Sequence, residues 1–311
     1  MKDYTAYLNE TEDEADGEYR PRYKTGPTGS KPKKSRAAIV AELTEKEDDT
    51  REGFDPSFTS SRHEREWILT YLGGFYEDQQ ITDVLRQVKG GKEATVYCCE
   101  AHPRTGLDLV AAKVYRPRMF RNLRNDGAYR QGRDIIDDSG HRGKREERAM
   151  KKRTDFGQEL LHLSWVGNEF GTMQKLYAAG VDIPKPISFS DNVILMEYVG
   201  EETCPAPILH SVRLHREEAE PLFRRLLEDI ELMLNQDKVH SDLSAHNILY
   251  WEGKCTIIDF PQAVDPIINP QARTFLERDV TRVCQYFERY GIKSDPRRLA
   301  TDMWENYTPD E

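Results

Sequence analysis

The 311-residue sequence predicts an α+β fold of two lobes, a small β-rich N-terminal lobe followed by a helical C-terminal lobe. Three observations carry that prediction. Residues 94–115 form two β-rich runs around a Pro- and Gly-containing turn at 103–106. Residues 215–236 place Leu222, Phe223, Leu226, Leu227, Ile230, Leu232 and Met233 at helical spacing. A strand–turn–strand unit, 247–251 and 255–259 across Glu252-Gly253, divides the helical half. The length suits one two-lobed domain with a tail.

Residues 1–60 are rich in Glu, Asp, Lys, Ser, Gly and Pro and poor in large apolar side chains. Such a segment buries too little surface to offset its ordering entropy, so a disordered charged tail is expected there. Its basic centre, 31–36, reads as a solvated linker, with a partner-binding arm as the alternative. Residues 61–88 show apolar spacing that predicts helices packing on the lobe that follows. Gly73-Gly74 is expected to break them in two.

Residues 89–200 make up the expected N-terminal lobe. Within it, 116–157 is a long charged insertion with Arg or Lys at 116, 118, 121, 124, 130, 133, 142, 144, 145, 148 and 151–153. A loop of that length inside a compact domain is usually functional or disordered. A helix follows over about 158–178, with Leu161, Trp165, Phe170, Met173, Leu176 and Tyr177 on its buried side and Gly180 as its stop. Two short strands end at 193–200. Residues 201–311 form the helical lobe, closing with helices over about 269–290 and 295–306.

Composition narrows the possibilities. The formal net charge of -10 argues against a protein that coats nucleic acid, though not against a local basic patch. Five cysteines with no C-x-x-C pair indicate neither a disulfide framework nor a zinc knuckle. No apolar stretch is long enough to span a bilayer and no signal region opens the chain, so a cytoplasmic location without membrane contact is expected.

The strongest chemical signal is H-x-D-x-x-x-x-N, formed by His240, Asp242 and Asn247, followed twelve positions later by Asp259 in I-I-D-F. Phosphoryl transfer needs one carboxylate to orient or deprotonate the attacking hydroxyl. It also needs a second carboxylate and an amide oxygen to hold magnesium against the phosphates. Asp242 fits the first task, and Asp259 with Asn247 fits the second. Each residue alone would pass for a turn or strand-end polar group; the joint spacing with intact apolar flanks does not. His240 is expected to orient the loop by hydrogen bonding rather than to move a proton.

Lys113, in V-A-A-K-V, alternates into an apolar strand, where an unpaired ammonium is costly. The string resembles the V-A-I-K strand of kinases, in which the lysine pairs the α- and β-phosphates and a helix glutamate. Glu169 is the best-placed partner, with Glu159 on the same helix. Lys89, Gly90, Gly91 and Lys92 precede the strand that carries Val96. Adjacent glycines there let backbone N–H groups approach phosphate oxygens, although a plain β-turn would look the same. L-M-E-Y-V-G, a strand leading into a glycine, resembles the linker between kinase lobes, which implies that the Glu197 carbonyl and the Val199 N–H bond adenine, with Met196 behind it.

Together these strings resemble the RIO family of atypical serine protein kinases over about 81–290. The telling pieces are G-K-E-A-x-V-Y at 91–97, H-x-D-L-S-x-x-N-I-L-Y at 240–250 and I-I-D-F-P-Q at 257–262, with Pro261 where ordinary kinases have Gly. Gly180-Val181-x-Ile183-Pro184 and Arg278-Asp279-Val280 also look like family features. The resemblance implies a trimmed protein-kinase-like fold without a peptide-binding activation segment. It implies ATP with Mg2+ or Mn2+, phosphorylation of a serine on itself or another protein, and ATPase-like turnover in which Asp259 receives the phosphoryl group. It also implies a flexible loop at 116–157 and a role in small-ribosomal-subunit maturation. Where many relatives carry Ser or Thr before G-K-E, this chain has Lys89-Gly90, and Lys89 adds charge instead.

Two other readings share part of this evidence. Small-molecule phosphotransferases of the aminoglycoside or choline type also use H-x-D-x-x-x-x-N with a downstream Asp. An ATP-switched factor binding ribosomal RNA or protein is suggested by the basic segment 116–153.

Overall fold

The computed structural model describes residues 53–58, 61–91, 93–116, 155–190 and 192–307, the side chains of 63 and 155–164 excepted. Helix α1 (Arg62–Glu77) is followed by strands β1 (Ile81–Gly90), β2 (Ala94–Ala101) and β3 (Leu109–Tyr115). Helix α2 (Asp155–Ala178) leads into β4 (Pro186–Ser190) and β5 (Val193–Glu197). The second lobe contains α3 (Arg216–Asn235), the hairpin β6 (Ile248–Trp251) and β7 (Lys254–Ile257), then α4 (Ala272–Glu288) and α5 (Pro296–Tyr307). The five antiparallel strands of the first lobe run in the order β1-β2-β3-β5-β4.

Strand alternation divides that sheet into two faces. Val110, Ala112, Val114, Val193 and Leu195 turn outward and are covered by Ile68, Leu72 and Phe75 of α1. Ala111, Tyr115, Ile194 and Met196 turn inward, against Val166, Phe170 and Met173 of α2, and join the core of the second lobe. Lys113 shares this inner face by parity.

Residues 61–88 are not the two helices that their apolar spacing predicts. Residues 62–77 are one helix that runs through Gly73-Gly74, and 81–90 is a strand. Two interior glycines cost a helix about 1 kcal/mol each relative to alanine. Burying Ile68, Leu72 and Phe75 (0–5% exposed) returns about 1.5–3 kcal/mol apiece, so packing wins. The strand's apolar spacing imitates a helix because β1 carries three register shifts against β2. These irregularities break the two-residue period, so Ile81 and Val84 fall on one face and Leu85 and Val88 on the other at spacings that imitate a helix.

The ordered lobe also begins before residue 60. Phe54 is buried and stacks on Tyr76 at 4.8 Å between ring centroids. The Phe58 N–H donates to the Val84 carbonyl, and the Ser57 N–H to Asp83. Residues 53–58 thus belong to the sheet's outer layer, whereas 1–52 lie outside the described residues, as do 117–154 of the basic segment.

The exit of α2 is bolted to the second lobe. Asp229 of α3 is fully buried, and its Oδ1 accepts the Asp182 N–H and faces Arg225 Nη2, each at 3.0 Å. Its Oδ2 has no partner among the described residues. Burial pushes this carboxyl up to about 7. A carboxyl raised above its unfolded value favours the fold at low pH and loses that contribution as pH climbs through the folded value. Asp229→Asn, which cannot ionise, is therefore expected to gain on the natural protein between about pH 5 and about pH 8, by on the order of a few °C in Tm. Thermal unfolding at both pH values checks this; parallel pH profiles for the two proteins would show that Asp229 does not titrate in this window.

Candidate active site

Register brings the first group of predicted residues together. Across the sheet, Lys89 pairs with Val96, Val96 with Lys113 and Lys113 with Ile194, so one cross-strand row carries three of the expected nucleotide residues. Lys113 Nζ lies 2.9 Å from Glu169 Oε1 and 2.6 Å from Asp259 Oδ1. One ammonium therefore ties the sheet, helix α2 and the segment after β7. Burial works against the charge on Lys113, but Asp259 and Glu169 outweigh it and hold its pKa well above the ordinary lysine value. The same ammonium keeps the Asp259 carboxyl below the usual carboxylate range, with Lys89 contributing further positive potential.

Glu169 is 1% exposed and fully engaged: its second oxygen accepts the hydroxyl of Tyr115. Tyr115 was not singled out in the sequence, although its position two residues after Lys113 puts it on the same face. Its ring packs edge-on against Trp165, and Lys113 Nζ sits 5.0 Å from its centroid. Glu159, the alternative partner, has its side chain outside the described residues.

The second group is built on the loop before β6. His240 Nδ1 accepts the Asp242 N–H at 3.3 Å, which leaves Nε2 as the protonated nitrogen facing the Ile258 carbonyl at 3.1 Å. Burial lowers the His240 pKa. A neutral, doubly bonded imidazole orients the loop and is not free to shuttle protons. Asn247 Nδ2 donates to the Asp242 carbonyl at 2.9 Å and approaches Asp242 Oδ2 at 3.4 Å. The Asn247 carbonyl accepts the Ile258 N–H at 3.0 Å, so the β6–β7 hairpin delivers Asp259 beside Asn247. Among the described residues, Asn247 stands between the Lys113 cluster and Asp242.

Two residues of this site hold left-handed backbone, Ser241 at φ 62° and Asp259 at φ 76°. Non-glycine residues persist there only where surroundings over-determine them. For Ser241 the surroundings are α4. Asp279 accepts the Ser241 N–H at 2.7 Å and the Leu243 N–H at 3.1 Å, Arg278 donates to the Ser241 carbonyl, and the Ser241 hydroxyl donates to the Gln262 carbonyl. One helical turn on, Arg282 Nη1 lies 2.9 Å from Asp242 Oδ1. In the sequence, Asp279 stands out only as part of the Arg278-Asp279-Val280 string, and Arg282 carries no signal.

The remaining predicted residues line the approach. Gly90 ends β1 and Gly91 donates its N–H to the Ala94 carbonyl, closing a hairpin. A Cβ on Gly91 would come within 3.0 Å of that same carbonyl oxygen. Lys92 lies outside the described residues. Met196 is buried beside Ala111, and Glu197 pairs with Val110, three residues along β3 from Lys113. The Val199 carbonyl accepts the Ala206 N–H. Gly200 follows at φ 125°, where a Cβ would lie 2.6 Å from backbone atoms of Cys204 and Ala206, so only glycine fits that turn.

A divalent cation can be accommodated here in one manner. The Asn247 amide nitrogen is committed to Asp242, which leaves its oxygen as the ligating atom beside the Asp259 carboxylate. Among the described residues no group of three or more His, Cys, Asp or Glu forms a cage. Two protein oxygens with the rest supplied by phosphates and water is the donor set magnesium takes in nucleotide sites.

The chain matches the model of the RIO domain over residues 127–299. It is similar to the RIO-type serine/threonine-protein kinase Rio1 of Thermoplasma acidophilum, 36% identical over 135 residues, which are 43% of this chain and 69% of that relative. The protein of the same description from Haloferax volcanii is 32% identical over 226 residues, 72% of this chain and 68% of that relative. Among solved structures, the Rio2 kinase-ADP/Mg2+-phosphoaspartate complex from Chaetomium thermophilum is similar in fold, with a TM-score of 0.57 at 20% identity, covering 87% of this chain and 75% of that one. Among the described residues, no helix is long and apolar enough to cross a membrane.

Proposed function

The chain belongs to the RIO family of serine/threonine protein kinases, and on that premise we propose that it transfers the γ-phosphoryl group of ATP, with Mg2+, to a serine on itself or on a protein. The observation that carries the reading is Lys113, gripped by Glu169 from one side and Asp259 from the other, with Asn247 linking that cluster to Asp242. In this reading Lys113 aligns the α- and β-phosphates, and Glu169 and Tyr115 keep its ammonium in place. Gly90, Gly91, Lys89 and Lys92 cover the phosphates, Val96 and Met196 flank the base, and Glu197 and Val199 bond its edge. Asp259 and Asn247 would hold the magnesium, which supplies charge neutralisation at the phosphates when bound. Asp242 accepts the proton of the attacking hydroxyl.

Asp259 is also a candidate acceptor. Its side chain is 44% exposed, and the similar Rio2 structure is described as an ADP/Mg2+-phosphoaspartate complex. The test is intact-mass and peptide mass spectrometry after incubation with Mg-ATP, with and without hydroxylamine, which cleaves an acyl phosphate but not a phosphoserine. Phosphate is expected on a serine, on Asp259, or on both. Neither adduct, together with no ADP formed, would overturn the reading. Mn2+ in place of Mg2+ and an RNA contact through residues 116–153 belong to the same proposal. Metal substitution in that incubation tests the first; RNA affinity that does not change with salt would count against the second.

A further inference from the structure

Ser244 stands two residues after Asp242, and its hydroxyl accepts the His246 N–H at 3.4 Å. Among the described residues, the cation in ion-pair contact with Asp242 comes not from this loop but from α4. Arg282 Nη1 is 2.9 Å from Asp242 Oδ1, and the two side chains are 37% and 42% exposed. The pair sits at an open surface of the site and not beneath it. A guanidinium carries five N–H donors in a planar fork, so the contact to Asp242 leaves others for a second ligand. Arg278 is committed elsewhere, to the Ser241 carbonyl and the face of Phe275 at 5.0 Å. Lys113 is held by Glu169 and Asp259.

Charge gives this placement a purpose. A triphosphate entering the cleft meets the carboxylates of Asp242 and Asp259. Lys113 and a bound cation offset Asp259; among the described residues, Arg282 is the cation in ion-pair contact with Asp242. We propose that Arg282 is a further catalytic residue: its free N–H groups bind the transferring phosphoryl group while Nη1 holds the Asp242 carboxylate on the acceptor hydroxyl. The proposal rests on the phosphoryl-transfer reading of the site. Arg282 donates to the phosphoryl oxygens as the bond from the γ-phosphorus to ADP breaks and its electron pair leaves on the ADP oxygen. The bond from the serine oxygen to phosphorus forms in the same step, and the serine proton passes to Asp242. Negative charge spreads over the equatorial oxygens in that transition state, where a fixed donor acts most strongly.

Calorimetry of Mg-ADP, alone and with fluoroaluminate as a mimic of the transferring phosphoryl group, tests this without turnover. The natural protein is expected to bind Mg-ADP more tightly when fluoroaluminate is present. Arg282→Ala should lose that gain while its affinity for Mg-ADP alone stays within about twofold. Its kcat should fall roughly 100- to 1,000-fold, with KM for ATP little changed. Arg282→Lys should recover part of both losses, since a point charge replaces the fork. The proposal is overturned if Arg282→Ala keeps the fluoroaluminate gain, even with a reduced kcat, because Arg282 would then act only through Asp242. It is likewise overturned if the natural protein binds Mg-ADP but shows no gain. Failure of the natural protein to bind Mg-ADP at all would instead remove the underlying reading of the site, and this inference with it.

Discussion

Asp242→Asn is expected to lower kcat by roughly 10²- to 10⁴-fold, the range a positioned proton acceptor contributes, while leaving the fold and Mg-ADP affinity close to those of the natural protein. The structure explains why the two effects separate. The loop is held by backbone groups, through Asp279 to the N–H groups of Ser241 and Leu243 and through Asn247 Nδ2 to the Asp242 carbonyl. None of these bonds uses the Asp242 carboxylate. An asparagine there still offers one oxygen to Arg282, and with its side chain 42% exposed the residue carries little of the fold's packing. The metal ligands proposed, Asn247 and Asp259, are untouched. Steady-state turnover, calorimetric Mg-ADP affinity and Tm measured on one preparation decide the matter. Turnover near the natural rate would remove Asp242 from its assigned role, and a large loss of Tm would mean that the carboxylate is structural.

Asp242, Asn247 and Asp259 were legible in the sequence because a single loop and hairpin set their spacing. The apolar flanks of β6 and β7 dictate the register, and Ile248 pairing with Ile257 brings the two ends together. Lys113 was legible by parity, since Val110, Ala112 and Val114 claim the opposite face. Glu169 could be named as a candidate because helix α2 follows the lysine strand, but the structure was needed to place it on Lys113. The residues that brace the loop were not legible in the same way. Asp279 and Arg282 reach Ser241 and Asp242 from 38 and 40 positions along the chain, and no local pattern encodes a contact at that separation. The two errors in the first lobe have local causes. Bulges in β1 disguised a strand as a helix, and sparse aromatics at Phe54 and Phe58 hid an ordered segment inside a charged tail. The first error falls on the edge strand β1 and the second on the outer layer of the sheet. The inner face, which carries Lys113, keeps an unbroken two-residue period in β2 and β3.

Asp259→Asn is expected to differ from Asp242→Asn in kind: both binding and chemistry should fail. Asparagine tolerates left-handed backbone at least as well as aspartate does, so φ 76° at this position is not a reason for the variant to misfold. What changes is charge. The Lys113 ammonium now holds Asp259 ionised, below the usual carboxylate range. An amide in its place offers the cation a neutral oxygen and leaves Lys113 with Glu169 as its remaining carboxylate among the described contacts. Hard divalent cations favour charged oxygen donors, so the Mg2+ concentration needed for half-maximal nucleotide binding should rise by at least about 10-fold, the factor that accompanies a 1.4 kcal/mol loss. kcat should fall by roughly 10³-fold or more, and any hydroxylamine-sensitive adduct should vanish, because the acceptor carboxylate is gone. Calorimetric Mg2+ titrations in the presence of ADP read the first effect independently of turnover. If Asp259→Asn binds Mg-ADP as the natural protein does, the cation is held elsewhere. Asp259 would then be a counter-ion of Lys113 and not a metal ligand.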